Sequence, residues 1–373
     1  METKEMLFRH CIAEGTSYEA GRSLGKVFKE DKNFIMFMTS PFMDGNKLSQ
    51  YKVNKAMEFY DRFCPGINDE IRGFADYVGA SAEDIVYYYA YVQLSVGNCS
   101  HMAVLPSITK DGHIYHARSY EFGWDDKPIL CTSLVEGKYS HIGFGCQLFG
   151  RFDGMNQMGL CVSTSAGVIM PNINQDGFVF PVVVRSLLDR CKTAGEAVEL
   201  LMSMPIADYR NFIISDKEGN ASLVEVAASC REVKHINGVS DDRYVCSANH
   251  YTLPQLMKHD TGRTKHSILR YDAIKSRLET AGSNVTKDLL RNILSDTMPD
   301  GVCCHHYSDG MGTLWSIIFD PMNVEAEICF GSPAVNGWRI FGLTGGQGTS
   351  DYSASLPNKP AEPGFWNTLN PRD

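Results

Sequence analysis

Apolar residues between positions 17 and 96 recur every three or four residues, the spacing of helices that bury one face. Pro65 interrupts this pattern once. Ser81 followed by Asp84 is a capping pattern, which predicts a last helix that begins near residue 81 and ends before Gly97. The sequence therefore predicts a run of helices over residues 17–96.

From Cys99 onward the pattern changes to short apolar runs separated by turn residues, as is typical of β-strands. Asp111 and Gly112 separate two such runs and predict a hairpin. The predicted strands are 102–108, 113–120, 129–135, 140–144, 160–165, 212–215, 222–226, 244–248 and a final hairpin of 313–319 with 326–330.

Helical patterns return within this strand-rich part. The predicted helices cover 180–191, 194–202 with Thr193 as its cap, 265–280 and 286–294. After Leu343 the chain is rich in Gly, Ser, Pro and Asn, which predicts a loop-rich tail. Strands on both sides of a central helical pair indicate an α+β fold in which sheets pack between helical layers.

The composition argues against several classes of function. The net charge of −9, with both signs dispersed, argues against a nucleic-acid-binding protein. No run approaches the roughly 18 apolar residues that span a membrane, and the N-terminus lacks the apolar core of a signal peptide. The 12 cysteines are therefore expected to be mostly buried thiols in a reducing, cytoplasmic setting.

Cys99 stands where the helical pattern gives way to the strand pattern, after Asn98. If the bond between these two residues is cut, Cys99 carries a thiol and a free α-amine on one carbon. The amine has a pKa of about 7.7–8.0 and can accept the thiol proton, because only the thiolate is a good nucleophile. One backbone cleavage would thus create an acyl-transfer catalyst.

Several motifs, in this order and spacing, resemble the cysteine branch of the N-terminal nucleophile hydrolases. The nearest family is that of acyl-coenzyme A:6-aminopenicillanic acid acyltransferase, with conjugated-bile-salt hydrolases and penicillin V acylases as more distant relatives. The motifs are GTSYEAG at 15–21, NCS at 98–100, DG at 111–112, RSYEF at 118–122, GMNQMGL at 154–160, SANHY at 247–251 and GTLWSIIFD at 312–320.

The resemblance implies a four-layer αββα fold and a self-cleaved precursor whose nucleophile corresponds to Cys99. It implies that the side-chain amide of Asn249 faces the developing oxyanion. Arg118 would lower the pKa of the thiol, and Glu121 stands where relatives carry an acid, usually Asp, that orients the new ammonium group. The competing structural explanations are a buried thiol, a turn-forming asparagine and an ion pair at a strand end.

Ser163 and Ser165 occupy a strand where relatives place polar residues near the pocket, and Arg270 falls in a helix that resembles one of the family. These are candidate substrate-binding residues, with a solvent-facing strand and a helix-surface charge as the alternatives. An arginine that precedes the last hairpin in the penicillin acyltransferase is missing here, where the chain has Asp309.

Together these observations predict a helical segment 1–98 that stays bound after self-cleavage, and a hydrolase core at 99–373. The expected substrate is a linear acyl amide or thioester, resolved through a Cys99 acyl-enzyme, with no metal, no organic cofactor and a possible homo-oligomer. Cys303, Cys304, His305 and His306 are a poor zinc site because adjacent ligands cannot surround one ion well. Two alternatives remain: a catalytically silent binding or scaffold protein, and a cysteine protease with His250 as base.

Overall fold

The computed structural model describes residues 2–39, 49–91, 97–145, 148–167, 177, 179–227, 230–258, 260, 262–343 and 349–369. Its helices are α1 (Ser17–Phe28), α2 (Lys32–Thr39), α3 (Gln50–Phe63), α4 (Ile67–Val78), α5 (Ala82–Tyr91), α6 (Phe180–Arg190), α7 (Ala194–Ser203), α8 (Pro254–Met257), α9 (Lys265–Ala281) and α10 (Lys287–Ser295). None of the helices in this described part combines the length and hydrophobicity that crossing a membrane requires.

The strands make up two large sheets and one short pair. They are β1 (Glu2–Gly15), β2 (Asn98–Val104), β3 (Tyr115–Phe122), β4 (Ile129–Val135), β5 (His141–Gly145), β6 (Asp153–Asn156), β7 (Cys161–Ala166), β8 (Tyr209–Ser215), β9 (Ala221–Ala227), β10 (Cys230–Ile236), β11 (Tyr244–Ser247), β12 (Arg263–Thr264), β13 (His305–His306), β14 (Met311–Asp320), β15 (Glu325–Phe330), β16 (Arg339–Gly342), β17 (Ser350–Asn358) and β18 (Thr368–Leu369).

The first sheet has the strand order β10-β9-β8-β7-β6-β5-β4-β1-β17, and only its β1–β4 pairing is parallel. The second has the order β11-β2-β3-β14-β15-β16, with β13 also paired to β14. Helices α6 and α7 pack on the first sheet, and α9 and α10 pack on the second. The two sheets face each other, which confirms the predicted α+β fold as a four-layer αββα sandwich.

Local sequence signals place several elements correctly. β2 and β3 pair as predicted, but residues 105–114 connect them. The strand predicted at 102–108 ends at Val104, and Pro106–Ile108 is a 3₁₀ helix that precedes the turn at Asp111 and Gly112. Asp84 donates its backbone N–H to the Ser81 hydroxyl at the start of α5, and Thr193 caps α7 in the same way. The final predicted hairpin is the β14–β15 pair.

Two predictions about the ends of the chain are wrong. Segment 1–98 is not wholly helical, because residues 2–15 form β1 in the interior of the first sheet, between β4 and β17. The tail after Leu343 is not simply a loop, because β17 is a nine-residue strand that pairs with β1. Predicted helical positions 40–48 and 92–96 lie outside the described residues.

The N-terminal segment is also joined to the core by a buried ion pair. Arg185 on α6 bonds Glu70 on α4 at 2.8 Å and Asp189 on its own helix at 2.9 Å. The side chains of Arg185 and Glu70 are completely buried, and that of Asp189 is 2% exposed. β1 and the helices that follow it are therefore both integral to the fold.

Candidate active site

Cys99 is the second residue of β2, and it is only 4% exposed. Because side chains alternate along a strand, Cys99 and His101 face the first sheet, while Ser100 faces α9. The Cys99 sulfur lies 3.0 Å from Nη2 of Arg118 and 4.0 Å from the carbonyl oxygen of Gly97. The thiol therefore lies beside the backbone that precedes it, with a cation as its partner.

Arg118, in the middle of β3, is held rigidly. Its Nη1 donates to Asp153 Oδ2 at 2.6 Å, and the indole N–H of Trp315 donates to the same oxygen at 2.9 Å. Its guanidinium lies over the rings of Tyr120 and Trp315 at 5.3 and 5.1 Å. Burial raises the pKa of the Cys99 thiol, and the Arg118 charge opposes that rise only in part. In the unbroken chain the sulfur is therefore a protonated thiol at neutral pH.

Asn249 follows β11 and reaches the backbone of the cysteine. Its Oδ1 accepts the Cys99 backbone N–H at 3.1 Å, and its Nδ2 donates to the carbonyl of Ala166 at 3.1 Å. The backbone N–H of Asn249 donates to the hydroxyl of Ser267 on α9. An amide nitrogen carries two protons, so Nδ2 has a second one for a neighbouring oxygen.

Arg270 on α9 brings a second cation to the same residue. Its Nη1 donates to the Cys99 carbonyl at 2.6 Å and to the Ser100 hydroxyl at 2.8 Å, while Nη2 donates to Asn249 Oδ1 at 2.7 Å. Arg270 is completely buried, so the helix-surface alternative is wrong. Asp309 accepts the backbone N–H of Ala361 at 2.8 Å.

Glu121 is the second-last residue of β3, directly across from Asn98, and is completely buried. Its Oε1 accepts from the Ser119 hydroxyl, and its Oε2 lies 3.5 Å from Arg270 Nη1 without a hydrogen bond to any described residue. Burial raises the pKa of the Glu121 carboxyl to about 7, although the nearby arginines lower it. One oxygen of this carboxyl is thus a buried acceptor that still lacks a hydrogen-bond donor.

Ser163 and Ser165, on β7, are buried between the sheets, so the solvent-facing alternative is wrong for both. The Ser163 hydroxyl bonds Nδ1 of His101 at 2.7 Å and Nε2 of His116 at 2.6 Å. Ser165 bonds the other ring nitrogen of His101 and the carbonyl of Ala248. Both serines therefore belong to a hydrogen-bond network that joins the two sheets. The network includes His101, which faces the same way as Cys99 and follows it on β2.

The remaining candidate side chains have other partners. His250 Nδ1 bonds the Ser267 hydroxyl at 2.8 Å, and burial lowers the pKa of its imidazole to about 3. Cys303 and His305 both contact the Ser332 hydroxyl, at 3.2 and 2.6 Å. In the part of the chain that the structure describes, no three His, Cys, Asp or Glu side chains are grouped as metal ligands.

Sequence reasoning missed three residues that support this site: Asp153, Ser267 and His266. The sequence does contain a pattern that indicates His266. His266, Arg270 and Leu278 are spaced by multiples of four, which places them on one face of α9 with the apolar residues. Asp153 gives no comparable signal, because its role depends on the meeting of β3, β6 and β14.

A family model described as acyl-coenzyme A:6-aminopenicillanic acid acyl-transferase matches residues 110–335. No curated protein matches the chain.

Among solved structures, an N-acylethanolamine-hydrolyzing acid amidase ortholog of Caenorhabditis elegans is 16% identical, with a TM-score of 0.45 over 60% of this chain and 93% of that one. Penicillin V acylase from Agrobacterium tumefaciens is 15% identical, with a TM-score of 0.45 over 66% and 86%. A mutant form of conjugated bile acid hydrolase from Clostridium perfringens is 11% identical, with a TM-score of 0.47 over 71% and 99%.

Proposed function

This chain belongs to the acyl-coenzyme A:6-aminopenicillanic acid acyltransferase family, and on that premise we propose that it is a self-processing cysteine N-terminal nucleophile enzyme. It cleaves itself between Asn98 and Cys99, and then hydrolyses or transfers the acyl group of a linear amide or thioester. One observation carries this proposal: Arg118 holds the Cys99 sulfur at 3.0 Å while Asn249 holds the backbone nitrogen of the same residue at 3.1 Å.

Self-cleavage begins when the Cys99 sulfur attacks the carbonyl carbon of Asn98. The C–N bond breaks, the thiol proton passes to the departing nitrogen, and a thioester forms. Water then opens the thioester, which leaves a carboxylate on Asn98 and a free thiol on Cys99. Arg270, bonded to the Cys99 carbonyl at 2.6 Å, keeps the backbone of the nucleophile in place during these steps.

The new α-ammonium group of Cys99 needs an anionic partner in a buried site. Glu121 is suited to that role because its Oε2 lacks a hydrogen-bond donor and its strand position is across from Asn98, one residue from the new terminus. Its carboxyl is also near the nucleophile through Arg270, which lies 3.5 Å from Glu121 Oε2 and bonds the Cys99 carbonyl at 2.6 Å.

In the acyl-transfer reaction the neutral α-amine accepts the thiol proton and becomes the ammonium group that Glu121 balances, and the thiolate attacks the carbonyl carbon of the substrate. The second N–H of Asn249 Nδ2 then stabilises the oxyanion, a type of contact that contributes about 3–4 kcal/mol in other enzymes. The departing amine takes the proton from the α-ammonium group, and water or a second amine resolves the thioester. Ping-pong kinetics are the expected consequence.

The proposal is tested by trapping the acyl-enzyme. Purified protein is mixed with a panel of N-acyl amino acids, penicillins and acyl thioesters, quenched in acid and analysed by mass spectrometry. We expect an acyl adduct on fragment 99–373, located at Cys99, and no adduct after prior alkylation with iodoacetamide. Failure of the panel to acylate Cys99, together with an unbroken chain after long incubation, would favour the catalytically silent binding protein.

The raised pKa of Glu121 predicts a specific pH dependence of stability in the unbroken chain. The folded state binds this proton up to about pH 7, whereas the unfolded state releases it near pH 4.3, so raising the pH destabilises the fold. In a Cys99→Ala background, adding Glu121→Gln is expected to raise the free energy of unfolding by about 2 kcal/mol more at pH 8 than at pH 5.

Urea denaturation of the two proteins at both pH values measures this difference. Glutamine matches the size of glutamate, so the comparison isolates the charge. An equal effect of Glu121→Gln at pH 5 and pH 8 would show that the carboxyl titrates normally and is not held as a buried acid.

A further inference from the structure

A cavity of about 470 Å³ lies at the start of α9, on the helical side of the second sheet. Its walls come from the first turns of α9, the loop of residues 297–305 and the tail of residues 359–365. This volume is within the range of small-molecule sites. The Cys99 sulfur is on the opposite face of the same sheet, so the cavity is distinct from the thiol site.

His266 lines this cavity and has a fixed tautomer. Its Nδ1 lies 3.1 Å from Nη2 of Arg270, and a guanidinium can only donate. Nδ1 must therefore be the acceptor, and the neutral ring carries its proton on Nε2. The side chain is 1% exposed, and Nε2 has no hydrogen-bond partner among the described residues. A buried N–H without an acceptor is unfavourable, which indicates that an external acceptor belongs there.

The surroundings favour an acceptor with a negative charge. Lys265 and Lys359 both line the cavity and are exposed, and the N-terminus of the 17-residue helix α9 adds its positive dipole end. Glu362 is the exposed carboxylate in the lining. The remaining wall is apolar at Leu269 and at Phe365, whose ring stacks on His266 with 5.1 Å between centroids.

We propose that this cavity is a second ligand site, which binds a small carboxylic acid with a short apolar body. The carboxylate accepts the Nε2–H of His266 and lies near the ammonium groups of Lys265 and Lys359, while the apolar body packs against Leu269 and Phe365. The cavity lies on the other side of the sheet from the Cys99 sulfur, and Arg270 connects the two sites because it bonds both His266 and the Cys99 carbonyl. Octanoate binding does not require acyl transfer, so it can be measured in a Cys99→Ala background.

Octanoate is a suitable probe, with the uncharged octan-1-ol as its matched control, and isothermal titration calorimetry measures binding to the full-length protein. We expect saturable 1:1 binding of octanoate and at least tenfold weaker binding of octan-1-ol. The variant His266→Phe keeps the ring stack but removes both ring nitrogens, the Nε2–H donor and the Nδ1 acceptor of Arg270, and it should weaken octanoate binding at least tenfold. Lys359→Met should weaken it by a few fold.

Lys110→Met, an exposed lysine on the β2–β3 turn, is the control and should leave binding unchanged. Leu269→Trp fills the cavity without replacing the donor and should abolish binding, which tests the cavity independently of the histidine variant. Circular dichroism of each variant checks that it is folded. The ¹⁵N signals of His266 should report the Nε2–H tautomer and shift on octanoate addition. Equal affinity of wild type and His266→Phe, or no saturable binding at millimolar octanoate, would overturn the proposal.

Discussion

Cys99→Ala is expected to remain a single chain of 41.5 kDa and to transfer no acyl group, whereas the wild type separates into residues 1–98 and 99–373. The reason is that one atom, the Cys99 sulfur, serves as nucleophile in both reactions. Replacing the CH₂–SH side chain with a methyl group removes both the attack on Asn98 and the later acyl-enzyme. Intact-mass spectrometry under denaturing conditions, followed over time, measures the cleavage directly.

Two further variants test whether cleavage depends on the nucleophile at position 99. Cys99→Ser keeps a weaker nucleophile at the same position, so we expect cleavage that is slow but detectable. Cys246→Ala changes another buried thiol, on β11, that has no role in the proposed chemistry and should cleave at the wild-type rate. Cleavage of Cys99→Ala at the same bond and rate would mean that the sulfur does not drive the reaction.

Arg185→Met is expected to lower the free energy of unfolding by about 3–5 kcal/mol, the range for breaking a buried ion pair from one side. Arg185 neutralises Glu70 at 2.8 Å and Asp189 at 2.9 Å in a fully buried position. Methionine retains much of the side-chain volume but leaves the Glu70 carboxylate buried without its cation. Urea denaturation followed by circular dichroism measures the loss, within a Cys99→Ala background so that every variant is unbroken.

Arg72→Met provides the matched control on α4. Arg72 pairs with Asp69 at 2.9 Å, but both side chains are about half exposed, so its loss should cost less than about 1 kcal/mol. Adding Glu70→Gln to Arg185→Met should recover part of the stability, because it removes the unpaired charge. If Arg185→Met and Arg72→Met had equal effects, burial would not be what makes this pair important.

The sequence predicts those parts of the fold that depend on neighbours along the chain. The capped starts of α5 and α7 are set by residues within a few positions of each other, and both were predicted correctly. The pairing of β2 with β3 was also predicted, but the strand expected at 102–108 ends at Val104 and residues 106–108 form a 3₁₀ helix. Such elements use local turn geometry and side-chain caps, which the sequence shows directly.

β1 and β17, two of the strands that sequence reasoning missed, depend instead on distant partners. Residues 350–358 include three serines and Pro357, a composition that predicts a loop. They form β17 because β1, more than 340 residues earlier, offers a row of backbone partners, with Thr3 across from Pro357. Proline is acceptable in this strand because it is the outermost strand of the sheet.

The candidate site shows the same division. The cysteine, its arginine and its asparagine could be chosen from motifs, and the structure brings Cys99, Arg118 and Asn249 into contact. Whether Arg270 is buried depends on how α9 packs across β2, so the choice between a surface charge and a site residue needed the three-dimensional structure.

The interior position of β1 has a consequence for anyone preparing this protein in pieces. Within the first sheet, β17 pairs only with β1. The other edge of β1 pairs with β4, on the side of β4 that β5 does not occupy. Removing the first fifteen residues, or producing 99–373 by itself, would strip both neighbours of their partner and expose open backbone edges that promote aggregation. Residues 1–98 and 99–373 should therefore be produced together. A purification tag can follow residue 373, or it can precede residue 1 and be removed without cutting into β1.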